Sequence, residues 1–146
     1  MHHELATFGE QPMLLGFDPG RDKCGIAVMG VDRQIAFRQV VSSETVPKTI
    51  AKICKDYPIS VCVMGNQTTS QEWSQKLEIA LSDAVRLFKV DERNSSLEAR
   101  DRYWELHPPK GLQKLIPQGM RVPPVPVDDI VAIILIERYL NRLTAQ

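Results

Sequence analysis

The sequence has little of what marks a membrane protein, a secreted protein or a polybasic nucleic-acid-binding protein. Its apolar runs fall short of the ~20 residues that a membrane-spanning helix needs, and residues 1–12 lack the apolar centre of a signal peptide. Lysine plus arginine and aspartate plus glutamate number 18 each, so the formal net charge is zero. We therefore expect no membrane association, and any nucleic-acid contact must come from a local patch or through bound metal ions.

Cysteine is scarce as well. The chain has three cysteines, Cys24, Cys54 and Cys62, and no two of them have C-x-x-C spacing. Two of the three lie in apolar runs, where a reduced cysteine behaves as a small hydrophobic residue. The pattern predicts a reducing compartment, which is the cytoplasm.

The length and the apolar content of 43% suffice for one domain with its own core. We predict a disordered N-terminal tail over residues 1–12 and a single domain over residues 13–146. Six of the ten prolines fall between residues 107 and 126, where no periodic pattern continues. A stretch of this length without periodicity predicts a functional or disordered loop.

What the sequence does contain is a regular succession of strand and helix patterns. Three strand-like runs come first and are typical of an antiparallel meander. Helical spacings and short apolar runs follow, of which residues 59–64 (ISVCVM) are the clearest strand, so the order is βββαβαβαα. Ser95 and Glu98 predict a capping box at the start of the second-last helix. The two strand–helix–strand crossovers predict an α/β domain with a mixed sheet.

Acidic residues stand at the ends of three predicted elements. Asp18 ends the first strand before a Pro-Gly turn, Glu92 with Asp91 follows the fifth strand, and Asp128 with Asp129 opens the last helix. Because the carboxyl ends of parallel strands face one edge of a sheet, we expect these acids to meet there. Clustered carboxylates repel one another, so such a site favours divalent cations, and oxygen ligands select Mg²⁺ or Mn²⁺.

The chemistry follows from the three acids together. Two divalent ions about 3.5 to 4 Å apart activate a water molecule and stabilise the leaving oxygen in phosphodiester hydrolysis. Each acid alone also has an ordinary structural interpretation. Asp18 is a possible turn cap, residues 91–93 a loop ion pair, and Asp128 a common helix-start acid. The combination predicts a metal-dependent nuclease.

Three segments resemble the YqgF/RuvX family of Holliday junction resolvase-like proteins. They are LLGFDPGRDKCGIAVMG from Leu14, VDERNSSLEAR from Val90 and VPVDDIVAIILIERYL from Val125, and the similarity runs in order to about Leu143. The resemblance implies an RNase H-like fold, with a five-stranded mixed sheet of order 3-2-1-4-5 flanked by helices. It also implies a nuclease that processes the 5′ end of pre-16S ribosomal RNA or cuts Holliday-junction-like DNA.

The same resemblance places the catalytic acids at Asp18, Glu92 and Asp128. Asp129 is a further candidate metal ligand, because the doubled acid leaves the register open by one residue. RuvC resolvases carry an acid in strand four, where residues 64–66 of this chain are Met-Gly-Asn, so the second acid is assigned to Glu92. The implied enzyme is a two-metal-ion endonuclease that uses Mg²⁺ or Mn²⁺.

Basic and polar side chains near the acids and in the proline-rich loop form the candidate substrate-binding set. They are Arg21, Lys23, Asn66, Thr68, Arg93, Lys110, Lys114 and Arg121. Tyr103 and Trp104 are candidates for stacking on a base, and Trp104 is alternatively a core residue. The expected partners are pre-rRNA or branched DNA and ribosomal precursor particles. The chain is expected to be a monomer or a homodimer, since junction resolution needs two active sites.

Two other functions fit parts of the pattern. A non-catalytic RNA- or ribosome-associated module would keep the fold and dock through the basic loop. An actin-like ATPase shares the acid–glycine turn of Asp18 and Gly20, but such an enzyme needs a second lobe, for which 146 residues leave no room.

Overall fold

A five-stranded mixed sheet is the centre of this computed structural model, which describes residues 11–67 and 69–145. Its strands are β1 (Met13–Asp18), β2 (Lys23–Gly30), β3 (Ile35–Ser42), β4 (Ile59–Gly65) and β5 (Arg86–Val90). They lie in the order β3-β2-β1-β4-β5. The pairs β1–β2 and β2–β3 are antiparallel, and the pairs β1–β4 and β4–β5 are parallel. The predicted mixed sheet and its strand order are confirmed.

Helices cover both faces of the sheet. They are α1 (Val46–Asp56), α2 (Ser70–Ala80), α3 (Ser95–Leu106) and α4 (Asp128–Thr144). One core joins the sheet to α1 and α2, and a second core joins it to α3 and α4. Within residues 11–67 and 69–145, no helix combines the length and the apolar composition that crossing a membrane requires.

The connecting segments agree with the predicted order of elements. A 3₁₀ turn (Ser43–Thr45) precedes α1, and two more (Gly111–Leu115 and Gln118–Met120) lie in the proline-rich loop. Between α3 and α4 the described chain has no other regular element. Most of the predicted tail, residues 1–10, lies outside the described residues.

Strand β1 shows how the sequence orients the first acid. Side chains of a strand point alternately to its two faces. Phe17 is buried in the core of α1 and α2, whereas Leu14 is buried in the core of α4. Gly16 also faces α4, since a Cβ there would overlap the carbonyl oxygen of Ala132. By the same alternation Asp18 faces α4.

The first turn of α4 rests directly on β2. A Cβ at Gly25 would collide with the backbone carbonyl of Asp128. Gly25 is the cross-strand partner of Asp18, so the same glycine joins the end of β1 to the start of α4. A glycine inside a strand marks such a close approach of another backbone. This contact places the predicted acids of β1 and α4 side by side.

The start of α3 differs from its prediction. Asn94 precedes the helix in the left-handed conformation, with φ 62°, and makes no side-chain cap bond. The backbone N–H of Glu98 donates to the carbonyl of Asn94, while the Glu98 carboxylate pairs with Arg138 of α4 at 2.6 Å. The predicted capping box of Ser95 and Glu98 is therefore wrong, because an ion pair between helices occupies the carboxylate.

Candidate metal centre

Asp18 and Asp128 meet at the carboxyl end of β1. Asp18 is the last residue of the strand and Asp128 is the first residue of α4. When Asp18 is protonated, its carboxyl group donates a hydrogen bond to the Asp128 carboxylate. The structure thus brings together two of the three predicted catalytic acids.

Burial and neighbouring charge dominate the electrostatics of this pair. Burial, followed by the charges of Asp128 and Glu92, raises the pKa of Asp18 from 3.8 to about 8. Burial also raises the pKa of Asp128, which the nearby Lys23 opposes. In the absence of a cation Asp18 therefore keeps a proton near neutral pH, as one member of a closely spaced pair of acids does.

Glu92 lies beside this pair, between the ends of β4 and β5. It is only 9% exposed, and its carboxylate rests on Gly65, where a Cβ would collide with it. The backbone N–H of Gln67 donates a hydrogen bond to Oε1 of Glu92 at 2.9 Å. Burial raises the pKa of Glu92, and the Gln67 N–H opposes that rise. The end of β4 therefore orients the third acid.

The three carboxylates are neighbours without forming a closed cage. The charge of Glu92 acts on Asp18, but in the part of the chain that the structure describes no three His, Cys, Asp or Glu side chains converge closely enough to hold a metal ion. The donor chemistry nevertheless fits Mg²⁺ or Mn²⁺, because the donors are mutually repelling carboxylates. The nearby Cys24 thiol does not compete, since burial raises its pKa and keeps it protonated.

Asp129 has a different partner. Its carboxylate is buried and accepts a hydrogen bond from Nη1 of Arg38, on β3, at 2.8 Å. Its other oxygen accepts one from the backbone N–H of Ile130 at 2.9 Å. This pairing favours Asp128 over Asp129 as the third acid.

The predicted substrate-binding residues near β1 and β4 flank the carboxylates. Lys23 is the first residue of β2, and its positive charge lowers the pKa of Asp128. Arg21 is exposed and lines a cleft of about 580 Å³ that begins at Pro19, directly after Asp18. Asn66 is exposed just beyond β4, and Thr68 lies outside the described residues.

The cleft that Arg21 lines also contains residues that the sequence patterns did not single out. Lys76 of α2 stands at its border, with its ammonium group 4.6 Å from the ring centre of Trp73. Gln67, which holds Glu92, lines it too. The sequence could not indicate that Lys76 borders this cleft, because the packing of α2 against the sheet places it there.

The predicted contacts of the proline-rich loop are of two kinds. Lys110 and Lys114 are exposed, whereas Arg121 is half-buried, with its guanidinium 5.9 Å from the ring centre of Trp104. Trp104 and Tyr103 are 7% and 8% exposed and belong to the core of α4. Their position favours the core interpretation over stacking on a base. Arg93, the last predicted contact, is exposed directly after Glu92.

The high pKa of Asp18 predicts how the stability of the metal-free protein depends on pH. Between about pH 4 and pH 8 the folded state keeps a proton on Asp18 that the unfolded chain releases. The free energy of unfolding therefore falls as the pH rises through this window. We expect the Tm in EDTA to fall from pH 5 to pH 8, and Asp18→Asn, which cannot ionise, to lose this part of the dependence.

A matched variant controls for the change of charge. Asp22→Asn alters an exposed acid in the same turn, four residues away, and should reproduce the wild-type dependence of Tm on pH. Parallel curves for the wild type and Asp18→Asn would show that Asp18 ionises normally in the folded protein.

The fold has counterparts among solved structures. No family model and no curated protein matches the sequence of this chain. The chain is similar to RuvC of Thermus thermophilus at 11% identity, with a TM-score of 0.56, over 91% of this chain and 94% of that chain. It is also similar to T. thermophilus RuvC in complex with Holliday junction substrate at 14% identity, with a TM-score of 0.50 and the same coverage. At these identities the likeness shows the fold, which is RNase H-like.

Proposed function

We propose that this protein is a divalent-metal-dependent nuclease that hydrolyses phosphodiester bonds in structured nucleic acid. The observation that supports it is the group of carboxylates at the ends of β1 and β5 and the start of α4 in an RNase H-like fold. Asp18, Glu92 and Asp128 would hold Mg²⁺ or Mn²⁺. When bound, these ions would supply an activated water and stabilise the leaving oxygen.

The chain itself supplies the arrangement of these ligands. Gly25 lets the start of α4 touch β2, which keeps Asp128 beside Asp18. The backbone N–H of Gln67 orients Glu92. Hydrogen bonds of this kind to metal ligands fix their orientation and tune their affinity for the ion.

Basic residues on both sides of the carboxylates would bind the substrate backbone. Arg21 and Lys23 follow Asp18 in the chain, and Arg93 follows Glu92. On a protein with no net charge, such local groups are the source of attraction for phosphates. The remaining proposed contacts, in the segments after β4 and α3, are Asn66, Thr68, Lys110, Lys114 and Arg121.

Two substrates are candidates, the 5′ end of pre-16S ribosomal RNA and a four-way DNA junction. The sequence motifs favour the RNA, and the fold shared with RuvC favours the junction. The test is cleavage of each end-labelled substrate with Mn²⁺, Mg²⁺ or EDTA. We expect metal-dependent cutting, and the preferred substrate assigns the biological reaction. If well-folded protein cuts neither substrate with either ion, the nuclease proposal is wrong.

A non-catalytic RNA- or ribosome-associated module is the second candidate. The open arrangement of the carboxylates favours it, since among the described residues no three metal-binding side chains converge on one point. The same experiment distinguishes the two functions. The module requires that the protein bind the RNA in EDTA and leave it intact with both metal ions.

A further inference from the structure

A further cleft begins at the residues on either side of Glu92. It has a volume of about 360 Å³ and is lined by Val90, Asp91, Arg93, Asn94, Arg138 and Arg142. Glu92 itself is not part of the lining, because its carboxylate rests on Gly65 and bonds to Gln67 at the end of β4. The turn that carries Glu92 therefore separates the candidate metal centre from this arginine cleft.

The arginine cleft has more positive than negative charge. Arg138 is engaged, since it donates to Glu98 at 2.6 Å and to the carbonyl oxygen of Asp91 at 2.8 Å. Within residues 11–67 and 69–145, neither Arg93 nor Arg142 has a carboxylate within ion-pair distance. Asp91 is the acid in the lining, and it accepts a hydrogen bond from the backbone N–H of Arg93. Two guanidinium groups are thus left to bind an anion.

The chemistry of the cleft selects an oxyanion. Guanidinium groups match the paired oxygens of a phosphate or a carboxylate, and phosphate is the oxyanion that the substrate of the proposed function carries. The position selects its source. Arg93 is the residue after Glu92, and Arg142 lies 14 residues beyond Asp128, roughly 20 Å along α4. The cleft therefore starts beside Glu92, at the carboxyl edge of the sheet, and extends toward the C-terminal part of α4, away from Asp128.

We propose that the arginine cleft binds a backbone phosphate of the nucleic-acid substrate, outside the position where the bond is cut. The polyanion is named on the basis of the proposed nuclease function, whereas the anion site follows from the arginines alone. The cleft extends the binding surface on the side of β5 and α3, away from the Arg21 and Lys23 side. Arg142, near the end of the last helix, is a binding residue that no motif indicated.

The test measures binding without cleavage. A fluorescently labelled duplex with a single-stranded branch is titrated with protein in EDTA, and the affinity is measured by anisotropy at several NaCl concentrations. We expect Arg93→Ala and Arg142→Ala each to weaken binding about fivefold. Each should also reduce the slope of log K against log salt by about one, as the loss of one phosphate contact does.

Arg86→Ala is the matched control. Arg86 is exposed at the other end of β5 and, among the described residues, also lacks a carboxylate within ion-pair distance. Its removal changes the net charge equally and should leave the salt slope unchanged. Arg93 and Arg142 make no side-chain hydrogen bonds within the described chain, so their variants should keep the wild-type circular dichroism spectrum and Tm.

A second arm identifies the source of the phosphate. Inorganic phosphate is titrated against the wild type and the Arg93→Ala/Arg142→Ala double variant, and Tm is recorded. If phosphate stabilises only the wild type while oligonucleotide affinity is equal in both, the cleft binds a free phosphoryl ligand and the proposal of a backbone phosphate is wrong. Equal affinity, slope and Tm in both proteins would remove the anion site altogether.

The outcome is separable from that of the proposed nuclease function. If the arginine variants bind more weakly but the wild type cuts no substrate, the proposed phosphate site stands and the proposed nuclease function is wrong. If the wild type cuts a substrate but the arginine variants bind as the wild type does, the nuclease function stands and the phosphate site is wrong.

Discussion

Asp18→Asn is expected to reduce metal-dependent cleavage at least roughly 10³-fold. The substitution removes one of the carboxylates that would hold the metal ions, and it keeps the shape of the side chain. It should also keep the fold. The pKa of Asp18 is about 8, so this carboxyl group is uncharged near neutral pH in the metal-free protein, as an asparagine is. The measurement is the initial rate of cutting with Mn²⁺ under single-turnover conditions.

The exposed acid of the same turn provides the comparison. Asp22→Asn makes the same change of charge four residues away and should cut at the wild-type rate. Thermal unfolding in EDTA verifies that both variants are folded. If Asp18→Asn binds Mn²⁺ and cuts as the wild type does, Asp18 is not a metal ligand and the proposed centre is wrong.

The position of this residue could be predicted because strand periodicity is local. Leu14 and Phe17 are buried on opposite faces of β1, as the period of two requires. Asp18 is four residues after Leu14, an even separation, so it lies on the same face of β1 as Leu14. The Pro-Gly turn after it ends the strand, so the acid must stand at the sheet edge. The order of the strands cannot be predicted from this local rule. That prediction came from the resemblance of the sequence motifs to the YqgF/RuvX family.

The contacts that hold the other acids could not be predicted in this way. Arg38 lies 91 residues before its partner Asp129, and Gln67 lies 25 residues before Glu92. Nothing in the local pattern of β3 indicates which of its polar residues meets α4. The failed capping box has the same cause, since Glu98 pairs with a residue 40 positions away.

The choice between the two acids at the start of α4 depends on helix geometry. Successive residues of an α-helix point about 100° apart, so adjacent side chains point in different directions. The part-buried ion pair of Asp129 with Arg38 restricts the rotation of the helix. With that rotation Asp128 faces Asp18. The packing of α4 on the sheet therefore favours Asp128 over Asp129, a choice that the doubled acid in the sequence leaves open.

A methyl group at position 25 is expected to disturb the fold and the site together. The Cβ of Gly25→Ala would overlap the carbonyl group of Asp128 and approach the backbone nitrogen of Asp129 to 2.7 Å. These are backbone atoms that no side-chain rotation can move away, so the first turn of α4 must shift. We expect a loss of about 1 to 3 kcal/mol in the free energy of unfolding, the usual cost of overpacking a buried contact, measured by urea denaturation.

The same shift should lower cleavage by about 10²-fold in molecules that remain folded, since a displacement near 1 Å between reacting groups has an effect of that size. Gly119→Ala is the matched control, because nothing lies within 4 Å of the added Cβ, and it should change neither quantity. Wild-type stability would contradict the contact of β2 with α4. If instead stability falls while cleavage per folded molecule stays at the wild-type rate, Asp128 does not take part in the reaction. Its backbone would have moved without any change in the rate.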